Sequence, residues 1–167
     1  TGKRQQAGQH VVGAAFMRGS RAGDAADEAE FVSLLTVARQ VLDIEARAIQ
    51  HLITRLDASF SDAVAMIMAC RGRVVVSGIG KSGHVARKIA STLASTGTPA
   101  FFVHPTEASH GDLGMVTRED VFIGLSHSGE SGELLAIVPV LKRQGAKLVA
   151  MTGSAASSLA LQANVHL

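Results

Sequence analysis

Three short polar stretches of this chain gather the residues that could bind an anion or move a proton. The first is Ser77-Gly78-Ile79-Gly80-Lys81-Ser82-Gly83-His84, the second runs over 104–112, and the third is Ser126-His127-Ser128-Gly129-Glu130-Ser131 followed by Gly132 and Glu133. Hydroxyls at 126, 128 and 131 around a glycine, with backbone amides left free at a helix start, can surround a phosphate without a metal. A helix cap accounts for one or two of those serines, and three suggest a binding loop. Four of the seven histidines, His84, His104, His110 and His127, lie in or beside these stretches, while His10, His51 and His166 lie outside them. Imidazole titrates near neutrality and suits proton transfer. Each histidine alone could equally be a hydrogen-bonding loop residue, but four at one edge favour chemistry. Glu133 reads with equal weight as an acid/base group or as a carboxylate drawn to a helix N-terminus by the dipole.

The glycines of the first stretch fit G-x-G-x-x-G, the dinucleotide fingerprint. That reading also needs an acid at the end of the second strand for the ribose hydroxyl. Here Val103-His104-Pro105 occupies that place, and the first acid is Glu107, beyond a proline. A nicotinamide cofactor is therefore not expected. Lys81-Ser82 evokes the nucleotide P-loop, but the glycine due five positions before Gly80 is Val75. What both patterns share survives: free amides at a helix N-terminus, glycines that let an anion approach, and the mobile charge of Lys81. The bland alternative is a tight strand-to-helix turn with Lys81 solvated.

The elements that must position these stretches follow from periodicity. Short apolar runs at Val74-Val75-Val76, at 100–103, at 121–125 and at 148–151 alternate with helical segments over 84–95, 131–144 and 155–162, and Val165-His166-Leu167 begins a fifth strand. Strands that read apolar throughout, alternating with helices, predict a three-layer α/β/α open parallel sheet of about five strands. Its ligands bind at the carboxyl ends of the strands, which is where the three polar stretches fall. Ahead of the sheet, Leu34, Leu35, Ala38, Leu42, Ile49, Leu52, Ile53 and Leu56 recur at three- and four-residue steps, which predicts a helix over 28–56. A second helix, capped by Ser61, is expected to about Cys70. Residues 1–30, with five glycines and then an acidic cluster, read as a flexible leader or a remnant of expression, with Met17 available as a natural start.

Composition narrows the classes. The chain has 167 residues, 47% of them apolar and 18% charged, which suffices for one domain with a proper core. With 4% aromatics, no Trp, no Tyr and a net charge of +2, it lacks the stacking side chains and basic field of a nucleic-acid binder. One cysteine excludes an internal disulfide, and Cys70 among Ala, Met and Ile reads as core. No run is long enough for a membrane span and none resembles a signal peptide, so the cytoplasm is the expected compartment.

The loops resemble those of the sugar isomerase (SIS) domain. Ser126-His127-Ser128-Gly129-Glu130-Ser131 is similar to that superfamily's phosphate loop, S-x-S-G-E-[ST]. More narrowly, Val76-Ser77-Gly78-Ile79-Gly80-Lys81-Ser82-Gly83-His84, Ala94-Ser95-Thr96-Gly97-Thr98-Pro99, Phe102-Val103-His104-Pro105 and His110-Gly111-Asp112-Leu113-Gly114-Met115 resemble the D-arabinose 5-phosphate isomerases, over about 31–167. The resemblance implies a flavodoxin-like SIS domain and interconversion of D-ribulose 5-phosphate with D-arabinose 5-phosphate through an enediol, without a cofactor. That product is the precursor of Kdo in lipopolysaccharide. It further implies a tetramer, phosphate held by Ser82, Ser126, Ser128 and Ser131, and a sugar lined by Gly97, Thr98, His104, His110 and His127. Lys81, His110 and Glu133 match catalytic positions, and His104 matches a position that takes inhibitory zinc. The family continues past the position of Leu167 with a further catalytic Glu and His and a pair of CBS modules, so the SIS domain over 31–167 is expected to be cut short. The competing readings are a non-catalytic SIS module that senses a sugar phosphate, and an SIS isomerase for another phosphosugar.

Overall fold

A computed structural model of the chain describes residues 24–167, so the expectation for the first 23 residues lies outside the described part. The chain divides into two units, 1–56 and 57–167. In the first, helix α1 spans Asp24–Ile53, starting four residues before and ending three before the predicted bounds. At 100° per residue the apolar positions from Leu34 to Leu56 fall within one stripe of about 100°. Leu42, Ile49, Leu52 and Ile53 on that stripe are exposed. An Asp43–Arg47 ion pair one turn apart marks the polar face.

The second unit opens with α2, Ala58–Met68. Its cap is Asp57 rather than Ser61: the Asp57 carboxylate accepts the Ser59 N–H at 2.8 Å, satisfying one of the donors orphaned at a helix start. The sheet follows, with β1 Val74–Gly78, β2 Ala100–Val103, β3 Val121–Ser126, β4 Lys147–Thr152 and β5 Val165–His166. All pairings are parallel, in the order β2-β1-β3-β4-β5. Between the strands run α3 (Gly80–Ser95), α4 (Pro105–Ser109), a 3₁₀ turn (Asp112–Met115), α5 (Gly132–Gln144) and α6 (Ser158–Gln162). The predicted class, layering and strand number hold.

Alternation along the strands divides the core into two layers. Val75, Phe122, Leu148 and Ala150 face Leu134, Ile137, Val138 and Leu141 of α5 and Leu159 of α6. Val74, Val76, Val121, Ile123 and Val149 face Ala63 of α2 and Ala86 and Ala90 of α3. Because both faces are covered, neither set needs polar residues between its members. Cys70 packs half-buried at the edge of the second layer, its thiol donating to the Glu119 carbonyl at 3.3 Å.

The amino-terminal edge of the sheet is tied by Asp120, which is 2% exposed. One carboxylate oxygen accepts the Arg73 N–H at 2.6 Å; the other accepts the Thr117 N–H at 2.7 Å and the Thr117 hydroxyl at 3.1 Å. Gly72 is required beside it, since a Cβ there would collide with that carboxylate.

Candidate active site

The strand order sets the site. β1 lies between β2 and β3, so the chain leaves β1 on one side and returns on the other; the carboxyl ends of β1 and β3 flank the crevice where such sheets bind ligands. The register pairs Gly78 with Leu125 and Ser77 with Val103. The turn after β1 therefore stands between the segment after β2 and the loop after β3. All three polar stretches share one edge.

In the first turn the glycines answer to geometry. A Cβ on Gly83 would lie 2.7 Å from the Gly78 carbonyl oxygen, and one on Gly78 would lie 3.0 Å from that of Leu125. Gly80 starts α3 at φ +55°. The residue preceding α3, Ile79, offers no side-chain cap, which leaves first-turn amides without the usual partner. Lys81 is exposed and Ser82 half-buried in that turn, with His84 exposed on the next residues of α3. Helix α3 thus starts at Gly80, four residues before the predicted His84. Beneath the turn, the Ser77 hydroxyl is fully buried with no hydrogen-bond partner among the described residues.

The loop after β3 is a hydroxyl cradle. The Ser126 and Ser131 hydroxyls lie 3.1 Å apart, the Ser126 hydroxyl also accepts the Gly129 N–H at 3.1 Å, and the Ser128 hydroxyl accepts the Glu130 N–H at 3.2 Å. Ser131 flanks α5 but makes no side-chain cap bond, so this helix too begins with uncapped amides. Glu133 is exposed in its first turn. Glu130 lies before the helix. Its carboxylate accepts the Ser158 N–H at 2.7 Å. That bond, joined by the Ser158 hydroxyl, holds its carboxyl below the ordinary range. His127 is exposed and its carbonyl accepts the Gly153 N–H at 2.9 Å.

The segment after β2 is largely helical rather than a loop. His104 caps α4, its Nδ1 accepting the Thr106 N–H at 3.3 Å, and Pro105 occupies the first helical position, where no donor is needed. The His104 ring meets Phe102 edge-on, and the Arg87 guanidinium sits 3.9 Å over that phenyl ring. His110 follows α4, exposed, next to Gly111 at φ +141°.

Not every expected residue reaches this edge. Gly97 and Thr98 precede β2, and the register pairs Ala100 with Val74 at the start of β1. They lie at the amino-terminal end of the sheet, about 13 Å of strand away from the crevice at some 3.3 Å per residue. The connection from α3 to β2 must return to the bottom of a parallel sheet, so one chain cannot bring them to its own cradle. The His104 Nδ1 lone pair is committed to Thr106, and no three His, Cys, Asp or Glu converge among the described residues. Sequence reasoning also misses Thr152, Ser157 and Ser158, which brace the cradle. Their available signal is a serine-rich run after β4 that mirrors the one after β3.

An open five-stranded parallel sheet covered by helices on both faces, with serine hydroxyls gathered at its crossover point, defines a three-layer α/β domain. The SIS domain family model matches residues 67–167, and the chain belongs to that family. Over 130 residues (78% of this chain) it is 51% identical to the arabinose 5-phosphate isomerase KdsD of Pseudomonas aeruginosa, and over 129 residues 53% identical to that of Escherichia coli K12. The chain spans 40% and 39% of the lengths of those relatives. Among solved structures, the Escherichia coli CFT073 protein c3406 in complex with arabinose 5-phosphate matches with a TM-score of 0.77 at 44% identity, covering 81% of this chain and 72% of that one. A sugar isomerase domain of an RpiR transcription factor from Sphaerobacter thermophilus shares the fold at 22% identity, with a TM-score of 0.67. Among the described residues no helix is long and apolar enough to cross a membrane.

Proposed function

We propose that this chain is the SIS portion of an arabinose 5-phosphate isomerase that interconverts D-ribulose 5-phosphate and D-arabinose 5-phosphate. The observation that carries the reading is the hydroxyl cradle of Ser126, Ser128 and Ser131 between two uncapped helix starts, in a chain half identical to enzymes of that name. The phosphate sits in that cradle with Ser82, where hydroxyls and oriented amides meet its charge. The sugar then extends along the edge toward His104, His110 and His127.

Isomerisation requires a base to take the proton from the carbon beside the carbonyl. The electron pair moves onto that oxygen to give an enediolate; the proton returns to the former carbonyl carbon while a proton passes from the neighbouring hydroxyl to the first oxygen, leaving the carbonyl on the neighbouring carbon. No electrons leave the substrate, so no redox partner is needed. Lys81 stabilises the developing oxyanion, and His110 and Glu133 supply the proton-transfer groups. Gly97 and Thr98 reach the sugar from a second copy, in keeping with a homo-oligomer, most simply a tetramer. The working place is the cytoplasm, and the product feeds Kdo and lipopolysaccharide synthesis, as the family resemblance implies.

The test uses the longer protein that contains this chain, incubated with arabinose 5-phosphate in D₂O. The expected result is ribulose 5-phosphate with solvent deuterium introduced at the carbon next to the carbonyl. No turnover of either pentose phosphate, despite tight binding, would replace this reading with a sensing module.

A further inference from the structure

A loop that is to hold a phosphate dianion carries a carboxylate between its serines. Glu130 would repel the ligand there, so its place needs another reason. That reason is visible across the edge. The Ser158 N–H donates to the Glu130 carboxylate at 2.7 Å, and hydrogen bonding from Ser158 lowers the pKa of that carboxyl. Two backbone bonds run alongside, from the Leu159 N–H to the Gly129 carbonyl at 3.0 Å and from the Gly153 N–H to the His127 carbonyl at 2.9 Å. Gly129, at φ +68°, lies so close that a Cβ would collide with the Ser157 hydroxyl. The anchoring segment is itself braced: the Ser157 hydroxyl is 3.2 Å from that of Thr152, which is 2.9 Å from Nε2 of His166 in β5.

We propose that Glu130 is a positioning residue: its carboxylate pins the loop after β3 to Ser158 at the start of α6, so that the hydroxyls of Ser126, Ser128 and Ser131 are assembled before a phosphate monoester arrives. The proposal rests on the phosphate reading of that loop given above. Of the three ties, Glu130 makes the one that depends on a loop side chain, and a loop already ordered does not lose that freedom on binding. A carboxylate acting only through its charge predicts the opposite sign, because its removal would relieve repulsion. At an exposed, screened site that relief is worth about threefold in affinity. Loss of a charge-assisted tie is worth about thirtyfold.

The 167-residue chain would be compared with Glu130→Ala, Glu130→Gln, Ser158→Pro and the Glu130→Ala/Ser158→Pro double variant. The readouts are calorimetric titration with inorganic phosphate and amide hydrogen exchange. Proline suits position 158: it is the first residue of α6, and Ser157 before it is already extended at φ −70°, ψ 154°. It removes both donors while keeping the helix start. Glu130→Ala should weaken phosphate about tenfold, the net of those two effects, and Ser158→Pro, which breaks the tie but keeps the charge, about thirtyfold. The double variant should be no weaker than either, and Glu130→Gln, which keeps a neutral acceptor, should stay within about threefold of wild type. Amides of 129–131 should exchange faster in Glu130→Ala while those of α5 beyond its first turn do not change. Equal or tighter phosphate binding by Glu130→Ala, additive losses in the double variant, or unchanged loop exchange would each overturn the latch. Wild-type protein that ignores phosphate, with loop exchange still dependent on Glu130, would instead overturn the phosphate assignment.

Discussion

His110 stands just past α4 beside a glycine in a conformation that favours glycine, exposed at the crevice edge. An exposed ring contributes little to packing, so its loss should be felt in chemistry. In the longer protein, His110→Ala should lower kcat by about a hundredfold to ten-thousandfold, the usual range for a lost general acid or base. KM should move only a few-fold, which steady-state kinetics resolve. Near-normal kcat with a raised KM would make it a sugar-binding residue and move proton transfer to Glu133 or to residues outside this chain. The serines give the complementary pattern. Ser126→Ala with Ser128→Ala should weaken sugar-phosphate binding at least about fivefold, two lost hydrogen bonds at about 0.5–1.5 kcal/mol each, while the thermal midpoint falls little; unchanged calorimetric affinity would remove the cradle. Glu130 adds a pH signature. Its folded-state pKa is depressed, so its contribution to stability is complete above the ordinary carboxylate pKa and disappears as pH falls through the lowered one. Wild type should melt above Glu130→Gln at neutral pH, and the two should converge as the solution is acidified below about pH 4.

The elements show why some of this is legible in the sequence and some is not. Strands covered on both faces read as unbroken apolar runs, so Val74-Val75-Val76 and 121–125 announce themselves. The starts of helices are less readable. Asp57 and Ser61 are both competent caps, and only the Asp57–Ser59 hydrogen bond decides between them. The stretch after His104 reads as a loop because proline and histidine hide a cap and a first helical position. Glu130 groups with Glu133 in the sequence because its partner, Ser158, is 28 residues away, and no local pattern reports such a contact. Asp120 is equally silent there. With both its oxygens accepting backbone N–H groups, Asp120→Asn turns one acceptor into a donor facing a donor. It should cost about 2.5–6 kcal/mol, one broken charged hydrogen bond plus an unsatisfied amide. Urea unfolding measures this, and a loss under about 0.5 kcal/mol, the lower end for a single hydrogen bond, would show that the sheet edge does not depend on it.

At the scale of the whole molecule, the separation of Gly97 and Thr98 from the cradle makes a sharp expectation. If each site draws its loops from one copy and Thr98 from another, two variants impaired at subsaturating substrate can repair each other. The longer protein carrying Thr98→Val would be mixed and reassociated with the Ser126→Ala/Ser128→Ala form. In randomly mixed pairs, half are heterodimers and each holds one intact site, so activity should recover to about a quarter of wild type. Activity no higher than the average of the two parents would confine every site to one copy. Self-association itself should show in light scattering, because α1 presents its apolar stripe from Leu34 to Ile53 with large side chains exposed.

The tie at Asp120 and the cradle at Ser126 sit at opposite ends of a single strand. Mutational drift at the carboxyl edge therefore proceeds against a frame whose register is set elsewhere. Residues such as His104 and His127 can be exchanged to suit a different sugar without renegotiating how the strands align. Directed evolution on this scaffold should confine its libraries to those edge positions and leave Gly72, Arg73, Thr117 and Asp120 alone. The fold then acts as a chassis whose working end is replaceable.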